Sequence, residues 1–293
     1  MTILYWNGTR WVRQDSGTVR ELRGVWGTSA SDLWAVGEQG TILHYNGSTW
    51  SAQSITAAPV PSFESVWGAD PNDVWAVGSS GVASAGVVYY YNGSSWMPQS
   101  LPNNTGALAG VWAADSAHIW AVGPGATIVH NKGSGWAKQT ASATNIDFRG
   151  VGGADDTHLW AVGTTAAGAA INFFNGNLAG NWVNQNANVT PGLTHVWAID
   201  TTHAIAVGNA GTIDYLSGGT WAAQTSGVQA NLNAVFGTSM NDIVAVGEAG
   251  TILRSPGSSW SADSKGPIDN FRGTWAADAT HAWAVGTKGS ILM

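Results

Sequence analysis

The sequence has no cysteine among its 293 residues, which excludes disulfide-bonded scaffolds, cysteine-ligated zinc and thiol catalysis. Charge is scarce as well: Asp, Glu, Lys and Arg make up 10% of the chain, against roughly 25% in an average soluble protein. With a formal net charge of -7, the chain lacks the basic surface that attracts nucleic acid. No apolar run approaches the roughly 20 residues of a membrane-spanning helix.

Glycine and tryptophan, by contrast, are abundant. The chain has 39 glycines and 18 tryptophans but only 6 tyrosines and 6 phenylalanines. A four-residue motif, Trp-Ala-Val-Gly, sometimes with Ile or Val in place of Trp, recurs about every 40 residues, which is a spacing typical of propeller blades. Its seven copies begin at Trp34, Trp75, Trp120, Trp160, Ile205, Val244 and Trp283. Long stretches of helical periodicity are absent, so each repeat is made of strands.

The repeat predicts an all-β fold, a seven-bladed β-propeller whose blades each have four antiparallel strands. We expect residues 1–293 to form a single propeller domain, with the seventh blade shared by residues 271–293 and 1–17. The N- and C-terminal strands would thereby close the ring. Residues 2–5 and 290–293 both match the third strand of that blade. We favour residues 2–5, because they continue into a complete fourth strand.

Alignment of the repeats places nearly every tryptophan in one of three columns. The first-strand column holds Trp26, Trp67, Trp112, Trp197 and Trp275, with Gly152 and Phe236 as replacements. The second-strand column holds Trp34, Trp75, Trp120, Trp160 and Trp283, and the fourth-strand column holds Trp11, Trp50, Trp96, Trp136, Trp182, Trp221 and Trp260. An aromatic residue in every blade favours packing between blades. The alternative is a set of platforms on which sugars stack.

A second pair of columns follows each first strand, where Ser or Asp precedes Asp or His by three residues. The pairs are Ser29/Asp32, Asp70/Asp73, Asp115/His118, Asp155/His158, Asp200/His203, Ser239/Asp242 and Asp278/His281. An Asp-His dyad is one interpretation, since a carboxylate can orient an imidazole for catalysis. Because the pair recurs in four units, we favour a turn held by side-chain hydrogen bonds. The remaining histidines, His44, His130 and His195, are isolated in the sequence. We expect no metal and no cofactor.

The segment from Trp34 to Trp50, with Trp34-Ala-Val-Gly37 followed by Thr41-Ile-Leu-His-Tyr45 and Asn46-Gly47, resembles repeats of the photosystem II assembly-factor family. That family is similar to the sialidase-like, or Asp-box, propellers. The resemblance covers the whole chain, unit by unit, and implies a seven-bladed propeller that binds a protein partner and catalyses nothing. The hairpin at Asn46-Gly47 is shorter than an Asp box and lacks its characteristic Asp.

The residues that enter each first strand should surround the mouth of the central channel on the top face, the face with the loops that join blades. They are Arg23, Glu64, Ala109, Arg149, Thr194, Asn233 and Arg272. We predict that Arg23, Glu64, Arg149, Asn233 and Arg272 bind a ligand. Three arginines around one opening suit an anionic group. The alternative is that each Arg pairs with a nearby acid such as Asp147 or Asp269.

No catalytic constellation can be assembled from the sequence. The leading hypothesis is therefore a non-catalytic recognition propeller that binds a glycan or a protein or peptide ligand on its top face. One alternative is a multivalent carbohydrate-binding lectin. Another is a polysaccharide lyase or hydrolase, for which Glu64 is the carboxylate we would nominate. We expect a monomer and favour an extracellular or periplasmic location, although residues 1–8 lack the basic region and apolar core of a signal peptide.

Overall fold

The computed structural model describes residues 2–57, 59–81, 85–176, 180–257, 259–263 and 269–287. The strands in chain order are β1 Thr2–Trp6, β2 Trp11–Gln14, β3 Leu22–Ser29, β4 Asp32–Gly37, β5 Ile42–Tyr45, β6 Trp50–Ala52, β7 Ser62–Asp70, β8 Asp73–Ser79, β9 Gly86–Tyr91, β10 Trp96–Pro98, β11 Gly110–Asp115, β12 His118–Gly123, β13 Thr127–Asn131, β14 Trp136–Lys138, β15 Asp147–Asp155, β16 His158–Thr165, β17 Gly168–Phe174, β18 Val183–Gln185, β19 Leu193–Asp200, β20 His203–Gly208, β21 Ile213–Ser217, β22 Thr220–Gln224, β23 Leu232–Ser239, β24 Asp242–Gly247, β25 Ile252–Ser255, β26 Ser261–Ala262, β27 Phe271–Asp278 and β28 His281–Gly286. One short 3-10 turn, Asn209–Gly211, lies between β20 and β21.

These strands form seven four-stranded antiparallel sheets arranged as a propeller, as the repeat predicts. Blades 1 to 6 are consecutive sets of four strands, beginning at β3, β7, β11, β15, β19 and β23. Blade 7 has the order β27-β28-β1-β2, so it combines strands from both ends of the chain. In its register Tyr5 lies opposite Trp283 and Leu4 lies opposite Ala284. Ring closure by residues 2–14 is therefore confirmed, whereas residues 290–293 lie outside the described residues.

The glycine of the repeated Trp-Ala-Val-Gly motif is explained by a close approach between the first two strands of each blade. The register of the two strands shifts where the first strand begins, as between Leu22 and Gly24. A Cβ on Gly37 would lie 1.9 Å from the carbonyl oxygen of Glu21. In the other blades the equivalent distance to the carbonyl oxygen is 1.9–2.2 Å, at Gly78, Gly123, Gly163, Gly208, Gly247 and Gly286. No side chain fits such a gap, so every blade requires glycine there.

The second-strand tryptophans pack as predicted, and each lies against its cross-strand partner on the third strand. Trp34, Trp120 and Trp160 are fully buried. The ring of Trp34 lies 4.2 Å from that of His44, and the ring of Trp120 lies 4.0 Å from that of His130. Such cross-strand pairs stabilise a sheet by about 0.2–1 kcal/mol each. His44 and His130 are therefore packing residues, and burial lowers the pKa of His130 to about 3.

The fourth-strand tryptophans connect neighbouring blades through a feature that our sequence analysis missed. Three residues after each of them stands Gln, or Asp in one unit. The indole of Trp221 donates a hydrogen bond to Gln185 of the preceding blade at 2.8 Å. Equivalent bonds join Trp50 to Gln14, Trp182 to Gln139, Trp260 to Gln224 and Trp11 to Asp263. In these five cases the two spaced residues join one blade to the next, whereas the buried indoles of Trp96 and Trp136 have no hydrogen-bond partner among the described residues. Most of the column is buried, which confirms the packing interpretation.

The turns on the bottom face, opposite the top face, are held by side chains in all seven blades. In each turn the first residue of the Ser/Asp pair accepts a hydrogen bond from the backbone N–H two residues later, as Asp278 does from Thr280 at 2.7 Å. The others are Ser29, Asp70, Asp115, Asp155, Asp200 and Ser239. In the four histidine units, Nδ1 of the imidazole lies 2.8–2.9 Å from the carboxylate. The prediction of a locked turn is confirmed.

The channel mouth as a candidate functional site

The seven residues that enter the first strands surround one opening on the top face. Arg23, Glu64, Ala109, Arg149, Thr194, Asn233 and Arg272 all line a depression of about 520 Å³. Each stands one residue after a buried Leu or Phe that anchors the strand, such as Leu22 or Phe148. The structure therefore brings together the five residues predicted to bind a ligand, at the place where the repeat alignment puts them.

On one side of this mouth the arginines are neutralised by glutamates. Arg23 of blade 1 is hydrogen bonded to Glu64 of blade 2, lies 2.8 Å from Glu38 and 3.9 Å from Glu21. Arg272 of blade 7 lies 3.1 Å from Glu21. Glutamates at the mouth are thus the partners of these two arginines, in place of the acids we considered. The network joins blades 7, 1 and 2.

The acids considered as partners lie elsewhere in the described structure. Asp147 accepts a hydrogen bond from the backbone N–H of Gly125 at 3.0 Å. Asp269 is 1% exposed, and neither acid forms an ion pair with a described arginine. The alternative interpretation was therefore correct in kind for Arg23 and Arg272 and wrong in the partners it named.

Arg149 of blade 4 differs from the other two arginines. Its side chain is exposed at the mouth, and within the described ranges it forms no ion pair and no hydrogen bond. An unpaired guanidinium keeps all five N–H donors available and stays charged at any physiological pH. Arg149 is therefore the mouth residue best able to hold an anionic group.

Asn233 and Thr194 each donate a side-chain hydrogen bond to the main chain of the next blade. Asn233 donates from Nδ2 to the carbonyl oxygen of Phe271 at 2.6 Å. Thr194 donates from Oγ1 to the carbonyl oxygen of Leu232 at 2.6 Å. These bonds hold the inner strands of neighbouring blades together. Oδ1 of Asn233 has no hydrogen-bond partner among the described residues.

His195 lines the channel just below the mouth, a position that our sequence analysis missed. In the repeat alignment its column holds small residues in the six other units, namely Gly24, Ser65, Gly110, Gly150, Ala234 and Gly273. Nδ1 of His195 accepts a hydrogen bond from the backbone N–H of Val235 at 3.5 Å. Burial lowers the pKa of this imidazole to about 4, so the ring is neutral at pH 7. In the sequence, the signal for this residue is that a histidine stands in a column of small residues.

The first-strand aromatic column follows the packing prediction only in part. Trp26, Trp112 and Trp275 are buried, and the rings of Trp26 and Trp112 lie over Gly68 and Gly153 of the next blade. Trp67, Trp197 and Phe236 are partly exposed and line the channel. The next blade offers Ala113 to Trp67 and Ala276 to Phe236, whereas Trp197 lies over Gly237 of the next blade. For this part of the column the inter-blade interpretation was incomplete, because rings also fill the channel.

The rings of Trp67 and Phe236 come from blades 2 and 6, and they meet across the channel with centroids 6.2 Å apart. Trp197 lies 5.8 Å from Phe236. These rings and the mouth residues line one cavity of about 390 Å³ in the channel. Among the described residues, no three His, Asp or Glu side chains come together as metal ligands would. No helix in the described part of the chain is long and apolar enough to cross a membrane.

Comparison with solved structures confirms the fold. YCF48 bound to D1 peptide superposes with a TM-score of 0.72 and 17% identity, over 93% of this chain and 91% of that one. YCF48 from Cyanidioschyzon merolae gives a TM-score of 0.73 and 15% identity, over 93% and 94%. The WD40 β-propeller domain of Doa1 gives a TM-score of 0.73 and 13% identity, over 97% of both chains. At such identities the likeness concerns the fold.

No protein-family model matches the sequence, and no curated protein matches it either. The resemblance drawn from the repeats is nevertheless confirmed at the level of fold, because YCF48 is a photosystem II assembly factor.

Proposed function

We propose that this protein is a recognition propeller that binds a protein or peptide partner at the channel mouth, with an acidic group of the partner on Arg149. The observation that carries the proposal is the unpaired guanidinium of Arg149, across a mouth whose other arginines are bonded to glutamates. An acidic side chain can accept two parallel hydrogen bonds from such a group. In support, YCF48, which has the same fold, has been solved with a peptide bound.

Two observations favour a peptide over the glycan and polysaccharide alternatives. The tryptophans that would serve as sugar platforms are buried in the second-strand column, and most of the fourth-strand column is buried as well. Glu64, the carboxylate nominated for polysaccharide cleavage, is hydrogen bonded to Arg23. Repeated ligand platforms around the ring have no support in this arrangement, whereas a single irregular mouth suits one partner.

The test is a positional library of capped heptapeptides, read out by isothermal titration of the selected sequences. We expect Glu or Asp to be selected at one position, and Arg149→Ala to weaken binding about tenfold, which corresponds to about 1.4 kcal/mol. Binding should also weaken as salt is raised, because a solvent-reachable ion pair is screened. The thermal midpoint should barely change, since an exposed arginine contributes little to the fold.

The matched control is Arg20→Ala. Arg20 is an exposed arginine in the loop that joins blades 7 and 1, outside the residues that line the mouth. Its removal changes the net charge by the same amount and should leave affinity unchanged. Equal affinity in wild type and Arg149→Ala would contradict the proposal. The proposal would also be contradicted if the library selected no acidic residue, or if the protein bound the anionic glycan oligogalacturonate and no peptide.

A further inference from the structure

The cavity beneath the mouth has two unlike walls. One is aromatic, formed by the partly exposed rings of Trp67, Phe236 and Trp197. The other is largely main chain, because blade 4 has Gly152 in the aromatic column and Gly150 in the column of small residues. The inner strands β15 and β19 approach so closely there that a Cβ on Gly152 would lie 2.6 Å from the carbonyl oxygen of Val196. Both kinds of surface line the same cavity.

Two side chains that line this cavity, His195 and Arg149, have hydrogen-bond donors without an internal partner. Nδ1 of His195 accepts from Val235, which assigns the proton of the neutral ring to Nε2. Nε2 has no hydrogen-bond partner among the described residues, and the side chain is partly exposed to the channel it lines. Arg149 stands three residues before Gly152 on the same strand, at the mouth of the same cavity. A ligand with acceptor oxygens beside a ring would satisfy both donors.

The size of the cavity fits one aromatic side chain. About 390 Å³ is within the roughly 300–1,000 Å³ of small-molecule sites, which are mostly apolar with a few placed polar groups. Edge-to-face and offset contacts with ring centroids about 4.5–7 Å apart favour an aromatic over an aliphatic occupant. The rings of Trp67 and Phe236 meet across the channel, and Arg149 borders the mouth from which we expect the occupant to enter.

We propose that the cavity binds an aromatic ring of the ligand, whose neighbouring carboxylate lies on Arg149 and whose acceptor oxygen receives a hydrogen bond from Nε2 of His195. This inference rests on the proposed function and names the partner more closely, as an acidic peptide with an aromatic side chain beside the acid. The heptapeptide library should then select Phe, Tyr or Trp next to the acidic position.

Small probes separate the ring from the charge. We expect 3-phenylpropionate to bind at least tenfold more tightly than propionate, and 3-phenylpropionamide to bind with no dependence on Arg149. Ring protons of 3-phenylpropionate should show nuclear Overhauser effects to the indole of Trp67 in the wild-type protein. Equal affinities for 3-phenylpropionate and propionate would overturn the inference. So would nuclear Overhauser effects to surface residues only. If acidic peptides bind through Arg149 without aromatic selection, this inference fails while the proposed function stands.

Two variants test the walls of the cavity. Phe236→Trp introduces the residue that five other units carry in this column, so the variant should fold. Because the larger ring narrows the channel, we expect it to weaken binding of 3-phenylpropionamide at least tenfold. His195→Ala should weaken binding of the same probe threefold to tenfold. Its matched control is Ser65→Ala, because Oγ of Ser65 accepts the equivalent inter-blade bond from the N–H of Val111 at 3.4 Å. Equal losses in the two alanine variants would show that His195 acts only through the inner strands, and would overturn its assigned role.

Discussion

The bottom turns and the top mouth lie at opposite ends of the same inner strands, yet they follow different rules. At the bottom, all seven blades use a Ser or Asp side chain to accept the same backbone N–H. At the top, the seven equivalent positions carry Arg, Glu, Ala, Arg, Thr, Asn and Arg. A feature that every blade repeats serves the blade, and a feature that varies is free to serve a ligand.

The comparison also separates two groups that look alike in the sequence. The four Asp-His pairs have the geometry of a catalytic dyad, but each closes its own turn and none faces the channel. His195 stands alone in its column and does line the channel. Repetition therefore assigns the first group to folding, whereas departure from the repeat draws attention to the second.

The largest expected effect comes from breaking the ring on which both faces depend. Deletion of residues 1–14 removes the two outer strands of blade 7, including Ile3 at 0% and Leu4 at 2% exposure. Burial of these two side chains alone is worth about 3–6 kcal/mol, and the deletion also exposes the edge of β28. We expect the thermal midpoint to fall by more than 10 °C, at about 2–4 °C for each kcal/mol, or the chain to fail to fold.

Two point variants refine that test by calorimetry. Ile3→Ala should cost about 2–5 kcal/mol as a large-to-small change in the core. Val19→Ala, at a side chain that is 82% exposed, should leave the midpoint unchanged. A deletion variant as stable as the full chain would show that blade 7 does not need its N-terminal strands.

A smaller loss should follow from a single methyl group at the top of a blade, away from the charged mouth residues. A Cβ on Gly123 would lie 1.9 Å from the carbonyl oxygen of Ala107, whereas a Cβ on Gly106 would lie 3.5 Å from its nearest neighbour. Gly123→Ala should therefore lower the free energy of unfolding by about 1–3 kcal/mol, the usual cost of overpacking. Gly106→Ala is the control, measured in the same denaturant titration. Equal stability of the two variants would contradict the steric explanation of the motif.

Much of this architecture could be read from the period of the sequence. The seven blades, the closure by residues 2–14, the locked turns and the seven mouth positions all follow from aligning repeats, because equivalent residues occupy equivalent places in a ring. The same alignment contained His195 and the Gln or Asp that stands three residues after each fourth-strand tryptophan. His195 is a single departure from a column of small residues, and the Gln or Asp gains its role only where two blades meet, so neither forms a conspicuous motif along the chain.

The partners at the mouth could not be read in this way. Arg23 reaches Glu64 in the next blade, and Arg272 reaches Glu21 across the junction between blades 7 and 1. These contacts depend on side-chain length and on the distance between blades, neither of which a linear pattern contains. The unpaired state of Arg149 is a property of its surroundings for the same reason.

The smallest expected effect concerns the bottom turns alone. Hydrogen bonds from Thr280 lower the pKa of Asp278 to about 2, and the hydrogen bond and charge of His281 act in the same direction. A carboxyl with a depressed folded-state pKa stabilises the fold above its unfolded value of about 3.9, and this contribution is lost as pH falls through about 2. In Asp278→Asn the contribution is absent at every pH, so the free energy of unfolding should fall less steeply between pH 4 and pH 2 than in wild type. Asp156→Asn, at an exposed carboxylate without a hydrogen bond among the described residues, should keep the wild-type slope. Peptide binding at pH 7 should be the same in all three proteins, and a loss confined to Asp278→Asn with stability intact would place function at the bottom face and reverse the comparison.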